Sequence, residues 1–158
     1  MYVSPWKELI TAFKFQGQAG LAHFLAQQMR IPPAITQRLD NADFVLPVPL
    51  STQRLRERGF NQALLLAKQL CPERTVAQGL IRLRDTPAQS GLSRQDRLLN
   101  LDHAFMVNPA HVQMLRGSKV VLVDDVTTTG TTLNACTQAL QSVGLEQVEA
   151  VVLARTPT

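Results

Sequence analysis

Apolar residues recur at helical spacing at the start of the chain. Trp6, Leu9, Ile10 and Phe13 share one face, and Pro5 suits a first helical turn. Gly17 and Gly20 interrupt the pattern. A second helix then carries Leu21, Phe24, Leu25 and Met29, until the IPP of residues 31–33 stops it. The aromatic side chains of both helices are expected in or over the core. Phe44 to Val48 is a short apolar run that predicts a strand, closed by Pro47 and Pro49 because proline offers no ladder donor. The polar, arginine-rich stretch PLSTQRLRERGFNQ reads as a loop opening a helix. Phe60, Leu64 and Ala67 lie on one face of that helix, and Pro72 ends it.

Leu80 to Leu83 predicts another short strand. The composition then turns polar from Arg84 to Asn100, with Pro87 and Gly91 inside, as expected of a flexible loop. His103 to Val107 predicts a further strand, followed by a turn at Pro109. Lys119 to Asp125 is the clearest buried strand, with Val120, Val121, Leu122 and Val123 too short a run for a helix and rich in branched side chains. Leu133, Cys136, Leu140 and Val143 mark a helix face, Gly144 is a good stop, and Val148 to Leu153 supplies a last strand. Strand, helix, strand is a βαβ unit. The expected fold class is therefore α/β, with a mostly parallel central sheet flanked by helices.

At 158 residues the chain fits one domain. The expected organisation is a small helical N-terminal part, or hood, over residues 1–42 and the loop at 84–100. No apolar run approaches membrane-spanning length and MYVSPWKELI lacks a signal-peptide pattern, so a soluble, cytoplasmic protein without membrane insertion is the default. Cys71 and Cys136 lie far apart without CxxC spacing, and His23, His103 and His111 are scattered. Buried or half-buried thiols are expected, and no dedicated metal cluster. The net charge of +4 suits anionic partners. Its distribution says more, because Arg54, Arg56 and Arg58 form one cluster while Arg82, Arg84, Arg94 and Arg97 flank the second polar region.

VVLVDDVTTTGTT, residues 120–132, carries the most chemistry. Ligands of parallel sheets bind beyond the carboxyl ends of the strands, where Asp124 and Asp125 fall. The following loop leads to a helix N-terminus, whose unpaired N–H groups and dipole favour a phosphate. Threonine hydroxyls add donors, and Gly130 lets the backbone approach closely. The two carboxylates would repel that phosphate unless they have their own task. They accept hydrogen bonds from sugar hydroxyls and can hold Mg²⁺. Together these features ask for a phosphorylated sugar. An apolar strand ending in two acids also occurs in P-loop NTPases, but GxxxxGK[ST] is absent, and so is GxGxxG. A plainer alternative makes the threonines a helix cap and the acids surface residues, although one capping residue would suffice.

The same stretch resembles the phosphoribosyl-pyrophosphate (PRPP) signature of type I phosphoribosyltransferases. PWKELITAFKFQGQ, VLPVPLSTQRLRERGFNQALLLAKQL, LIRLRDTPAQSGLSRQDRLLNLDHAF and GSKVVLVDDVTTTGTTLNACTQALQSVG, in that order, are similar to the ComF (GntX-like) family of competence-associated proteins. The resemblance implies a type I phosphoribosyltransferase-like fold. It places Asp124 and Asp125 at the ribose hydroxyls and makes them the catalytic candidates. Val126, Thr127, Thr128, Thr129, Gly130, Thr131 and Thr132 complete the ribose and 5′-phosphate loop. Pro49, Leu50 and Ser51, with Arg54 and Arg58, form the pyrophosphate-side loop. Arg84, Thr86, Gln89 and Arg97 stand on the flexible loop that closes the site. ComF-like proteins commonly carry an N-terminal cysteine cluster that looks like a zinc site. This sequence has no such cysteines, so zinc is not carried over.

The function expected from this resemblance is Mg²⁺-dependent transfer of phosphoribosyl from PRPP to an unidentified nitrogen acceptor, in the context of DNA uptake or utilisation. Glutamine amidotransferase activity is not expected, because 158 residues leave no room for a glutaminase domain. A second reading is a non-catalytic sensor of PRPP or a nucleotide that contacts single-stranded DNA through its arginines, although one Trp and one Tyr supply little stacking surface. A third is a protein whose partner is another competence component.

Overall fold

The structure, a computed structural model, describes residues 5–15, 20–83 and 104–156. Arg84, Thr86, Gln89 and Arg97 lie outside the described residues, as do Arg94 and His103.

Three helices open the chain: α1 (Trp6–Phe15), α2 (Leu21–Arg30) and α3 (Pro33–Asn41). The IPP stop predicted after Met29 is real, but it also starts α3. Proline has no N–H to lose at a first helical position, and Pro33 takes that place. Arg74 donates to the carbonyls of Leu39 and Ala42 at 2.8 and 2.7 Å, closing the far end of α3.

β1 (Phe44–Pro47) leads into α4 (Thr52–Arg58) and α5 (Gln62–Leu70). The polar stretch read as a loop thus holds a helix of its own. Ser51 caps it by accepting the Arg54 amide, and Gly59 ends it in the left-handed region at φ 81°. Asn61 performs two jobs. Its Oδ1 caps α5 through the amides of Ala63 and Leu64, while its Nδ2 donates to the Val48 carbonyl at 3.2 Å and fixes the chain after β1. The buried face of α5 is Ala63, Leu66, Ala67 and Leu70. Phe60 and Leu64, expected on that face with Ala67, are only half-buried.

β2 (Leu80–Arg82) and β3 (Phe105–Val107) pair antiparallel as a separate two-stranded sheet. A 3₁₀ turn (Pro109–His111) and the short α6 (Val112–Leu115) follow. They lead to β4 (Lys119–Thr127), α7 (Thr131–Ser142) and β5 (Gln147–Arg155). β1, β4 and β5 form a parallel sheet with β4 in the centre, in a register that sets Leu46 beside Leu122 and Val123 beside Val151.

β4 explains the layering. Its side chains alternate between two cores, as strand periodicity requires. Val121 and Val123 pack with Phe13, Leu25, Leu39 and Leu66 from the α1–α3 and α5 side. Val120 and Leu122 pack with Cys136, Leu140, Phe105 and Val107 on the other. Each such buried side chain contributes roughly 1.5–3 kcal/mol. Both cysteines are buried free thiols. Among the described residues, no helix is long and apolar enough to cross a membrane.

Candidate sugar-phosphate site

Burial along β4 stops where its chemistry starts. Val120 to Val123 are buried and Asp124 to Thr127 are half-buried, so the acids sit at the sheet's carboxyl edge. Each carboxylate accepts an amide from the next residue. Asp125 N donates to Asp124 Oδ1 at 2.9 Å, and Val126 N to Asp125 Oδ1 at 2.7 Å. These local bonds orient both side chains and leave each a second oxygen.

A cavity of about 120 Å³ opens over these acids. It is lined by Lys14, Val48, Pro49, Leu50, Ser51, Arg54, Arg58, Arg82, Asp124, Asp125, Val126 and Thr132. Larger cavities exist, one of about 490 Å³ among α1, α2, α3 and β5, but its walls are mainly apolar. In the smaller one, two acids meet a lysine and three arginines. The fold thus brings the expected pyrophosphate-side residues against the expected ribose-side acids. Thr127 ends β4, Thr128, Thr129 and Gly130 form the adjoining turn and Thr131 starts α7, and none of them lines the cavity; Thr128 and Thr129 are exposed.

The start of α7 is open. Gly130 is its N-cap at φ 77°, and no side chain caps the helix. The threonines therefore do not serve as a cap; Thr129 and Thr131 hydrogen-bond through their hydroxyls instead. The first-turn amides of α7 keep their donors, and a Cβ at Gly130 would meet nothing within 4 Å. Such a terminus, next to threonine hydroxyls, accommodates an anion.

Lys14 and Arg82 were not singled out for the site on sequence grounds. Lys14 reaches the acids from the end of α1, with its Nζ 3.3 Å from Asp125 Oδ2. That oxygen is buried and accepts no hydrogen bond, so the ammonium compensates its charge without satisfying it. Arg82 comes from β2 and lies over the Phe105 ring at 5.2 Å. For Lys14 the only signal was a basic residue inside a quoted family stretch; Arg82 also belonged to the basic cluster that flanks the second polar region.

Burial, and then the charge of Asp125, push the Asp124 carboxyl up to about 7, against the Asp125 amide bond and the Lys14 charge. Beneath it, burial and the Asp124 charge push the Cys136 thiol up to about 12, with Arg82 opposing. That thiol stays neutral and inert. Arg58 is lowered from its ordinary value by burial, with Asp125 opposing. It is held by Gln62 Oε1 at 3.2 Å and by the face of Phe15 at 5.2 Å.

A parallel β4–α7–β5 unit with paired acids at the strand's end and a bare helix terminus behind a left-handed glycine is the arrangement that the resemblance to phosphoribosyltransferases led one to expect. Residues 58–158 match the phosphoribosyl transferase domain family. The chain is 36% identical over 160 residues to competence protein F of Haemophilus influenzae, covering 98% of this chain and 69% of that protein. It is 34% identical over 144 residues to competence protein ComFC of Bacillus subtilis, covering 90% of this chain and 56% of that protein. Against the DNA utilization protein YhgH of Escherichia coli K12 it is 32% identical over 163 residues, 98% of this chain and 69% of that protein. The chain belongs to the phosphoribosyl transferase domain family and, within it, to the ComF/YhgH group. A solved allosteric regulatory enzyme of purine biosynthesis shares the fold at TM-score 0.51 and 21% identity, over 87% of this chain and 25% of that one. Glutamine PRPP amidotransferase from B. subtilis gives 0.50 and 21%, over 87% of this chain and 26% of that one.

Proposed function

We propose that this domain binds PRPP and transfers its phosphoribosyl group to a nitrogen acceptor. The observation that carries the reading is the convergence, in one cleft, of two acids, Thr132 from the uncapped first turn of α7 and the cations Arg54, Arg58 and Arg82. In the reaction the acceptor nitrogen bonds to C1 of the ribose as the bond from C1 to the pyrophosphate oxygen breaks. The sugar is positively charged in between. Asp124 and Asp125 accept the ribose hydroxyls and fix the ring. The α7 amides and the threonine hydroxyls hold the 5′-phosphate. The Ser51 hydroxyl keeps its proton for donation while its oxygen caps α4, and it stands with Arg54 and Arg58 at the departing pyrophosphate. The donor set fits Mg²⁺ in part: the second oxygens of the two carboxyls suit a hard cation, and Asp125 Oδ2 lacks a hydrogen bond. Two carboxyls make an incomplete shell, so the ligand's own oxygens would supply the rest. When bound, the metal neutralises charge on the leaving group.

Asp124 must be charged to accept two hydroxyls or face a metal. PRPP affinity, measured by calorimetry, is therefore expected to rise through pH 7 and to fall by up to about tenfold per pH unit below it. The free protein runs the other way. A carboxyl raised in the fold favours stability below its unfolded value of 3.8, and that contribution is lost as pH rises through about 7. A flat affinity between pH 5.5 and 8 would remove Asp124 from the contact.

Pyrophosphate release, screened across nucleobases and amines, tests the transfer step. The expected result is release above the acceptor-free rate with one acceptor class. Silence with every acceptor, while PRPP still binds, would favour a second reading: a PRPP-sensing factor that contacts single-stranded DNA. The names of the relatives, competence and DNA utilization proteins, support that alternative, as do the exposed Arg54 and Arg56 on α4. DNA binding of this kind would weaken steeply with salt.

A further inference from the structure

Lys14 sits where a helix of the N-terminal layer ends, yet its charge belongs to the cleft. Its Nζ lies 3.3 Å from Asp125 Oδ2 in a pair that is largely shielded, with the lysine and aspartate side chains 20% and 13% exposed. The two oxygens of Asp125 are held differently. Oδ1 takes the Val126 amide at 2.7 Å, whereas Oδ2 has the ammonium near it and no hydrogen bond at all. A sugar hydroxyl donating to Oδ2 would supply the hydrogen bond that the ammonium does not, and so weaken the hold of Asp125 on it.

The backbone beneath Lys14 is fastened to the basic side of the cleft. Gln62, fully buried, donates to the Lys14 carbonyl at 3.5 Å and accepts from Arg58 at 3.2 Å. The next residue, Phe15, lies under the same guanidinium at 5.2 Å. The end of α1 and Arg58 are thus one bonded unit. Lysine suits a charge that must change partners, because its ammonium is a compact point charge on a flexible stem, with three rotatable donors. It lines the same cavity as Pro49, Leu50, Ser51 and Arg54, the residues expected on the pyrophosphate side, and as Asp124, Asp125 and Thr132.

We propose that Lys14 is an exchangeable counter-ion: it pairs with Asp125 in the free protein and passes to a pyrophosphate oxygen when PRPP docks, which makes helix α1 part of the ligand site. This assignment rests on the sugar-phosphate reading of the cleft and deepens it. A lysine that stays on Asp125 and one that changes partners predict opposite results. If it stays, removing it frees the acid for the ribose hydroxyls, and PRPP binds as well or better. If it exchanges, the pyrophosphate loses a charged donor.

The test is calorimetry with PRPP and with ribose 5-phosphate, both with Mg²⁺, on the wild type, Lys14→Met and Lys14→Arg. Methionine keeps the stem and removes the charge. Lys14→Met is expected to weaken PRPP about 10- to 100-fold, the range for one charge-assisted hydrogen bond. Ribose 5-phosphate should change less than about threefold, and Lys14→Arg should restore most of the PRPP affinity. Unchanged or tighter PRPP binding by Lys14→Met overturns the proposal, and an equal loss for both ligands overturns the pyrophosphate assignment. Should Lys14→Met fail to fold, Lys14→Gln takes its place under the same criteria. A wild type that binds neither ligand rejects the sugar-phosphate reading itself, an outcome distinct from the other two.

Discussion

The Asp124→Asn, Asp125→Asn double variant is expected to lose more than about 100-fold in PRPP affinity while folding at least as well as the wild type. Asparagine keeps the size of each side chain and an oxygen for the amide bonds from Asp125 and Val126. It removes both charges, and the two charge-assisted bonds to ribose hydroxyls are worth about 1.5–3 kcal/mol each. Stability should move the other way, because burial and mutual repulsion disfavour the ionised Asp124 by more than the Lys14 charge favours it. The lysine that loses Asp125 has a flexible stem on which to reach water. Calorimetry with PRPP and a thermal melt at pH 8 read the two effects separately. Loss of binding with a lower melting temperature would mean that the acids hold the fold together. Retained binding would place the sugar elsewhere.

These opposed effects are typical of a site built at the expense of local stability. They also bear on what the sequence made legible. β4 and its helix were readable because burial on both faces demands branched apolar residues, and the Val120–Val123 run leaves no helical alternative. The acids and the threonine turn were readable because they break that pattern within a few residues. Helix α4 was not. TQRLRER buries none of its residues, and Leu55 is 44% exposed, so no apolar stripe announces a helix. Its ends, Ser51 and Gly59, were the available signal, and both also suit a loop. Helix α3 buries only Leu39, and its first turn hides behind the prolines that stop α2.

Within the site the same division holds. Asp124, Asp125 and Thr132 share one short stretch, so their proximity follows from local structure. Lys14 and Arg82 arrive from α1 and β2, and their place depends on how those elements pack against the sheet. Nothing in the periodicity of α1 separates Lys14 from a solvated lysine. Its closeness to Asp125 follows from Phe13 entering the core beside Val121 and Val123, which carries the next residue to the sheet's carboxyl edge.

A carboxylate at the start of α7 separates the needs of the fold from those of the ligand. Thr132 lines the cavity in the first turn of a helix that has no acidic residue there and no side-chain cap. Thr132→Glu is expected to stabilise the protein by about 0.3–1 kcal/mol through the helix dipole. The melting temperature should rise by a few degrees at most. The same carboxylate occupies the place and sign of the 5′-phosphate, so PRPP and ribose 5-phosphate should each bind more than about 100-fold more weakly. Thr132→Gln, of equal length and without charge, separates repulsion from the loss of one hydroxyl and is expected to cost less than about tenfold. If the glutamate variant melts higher yet binds both ligands as the glutamine variant does, the phosphate does not rest on α7. The threonine turn would then need another anion or another purpose. If both affinities collapse while stability rises, the bare helix terminus is held open for a ligand, against the chain's own preference for capping it.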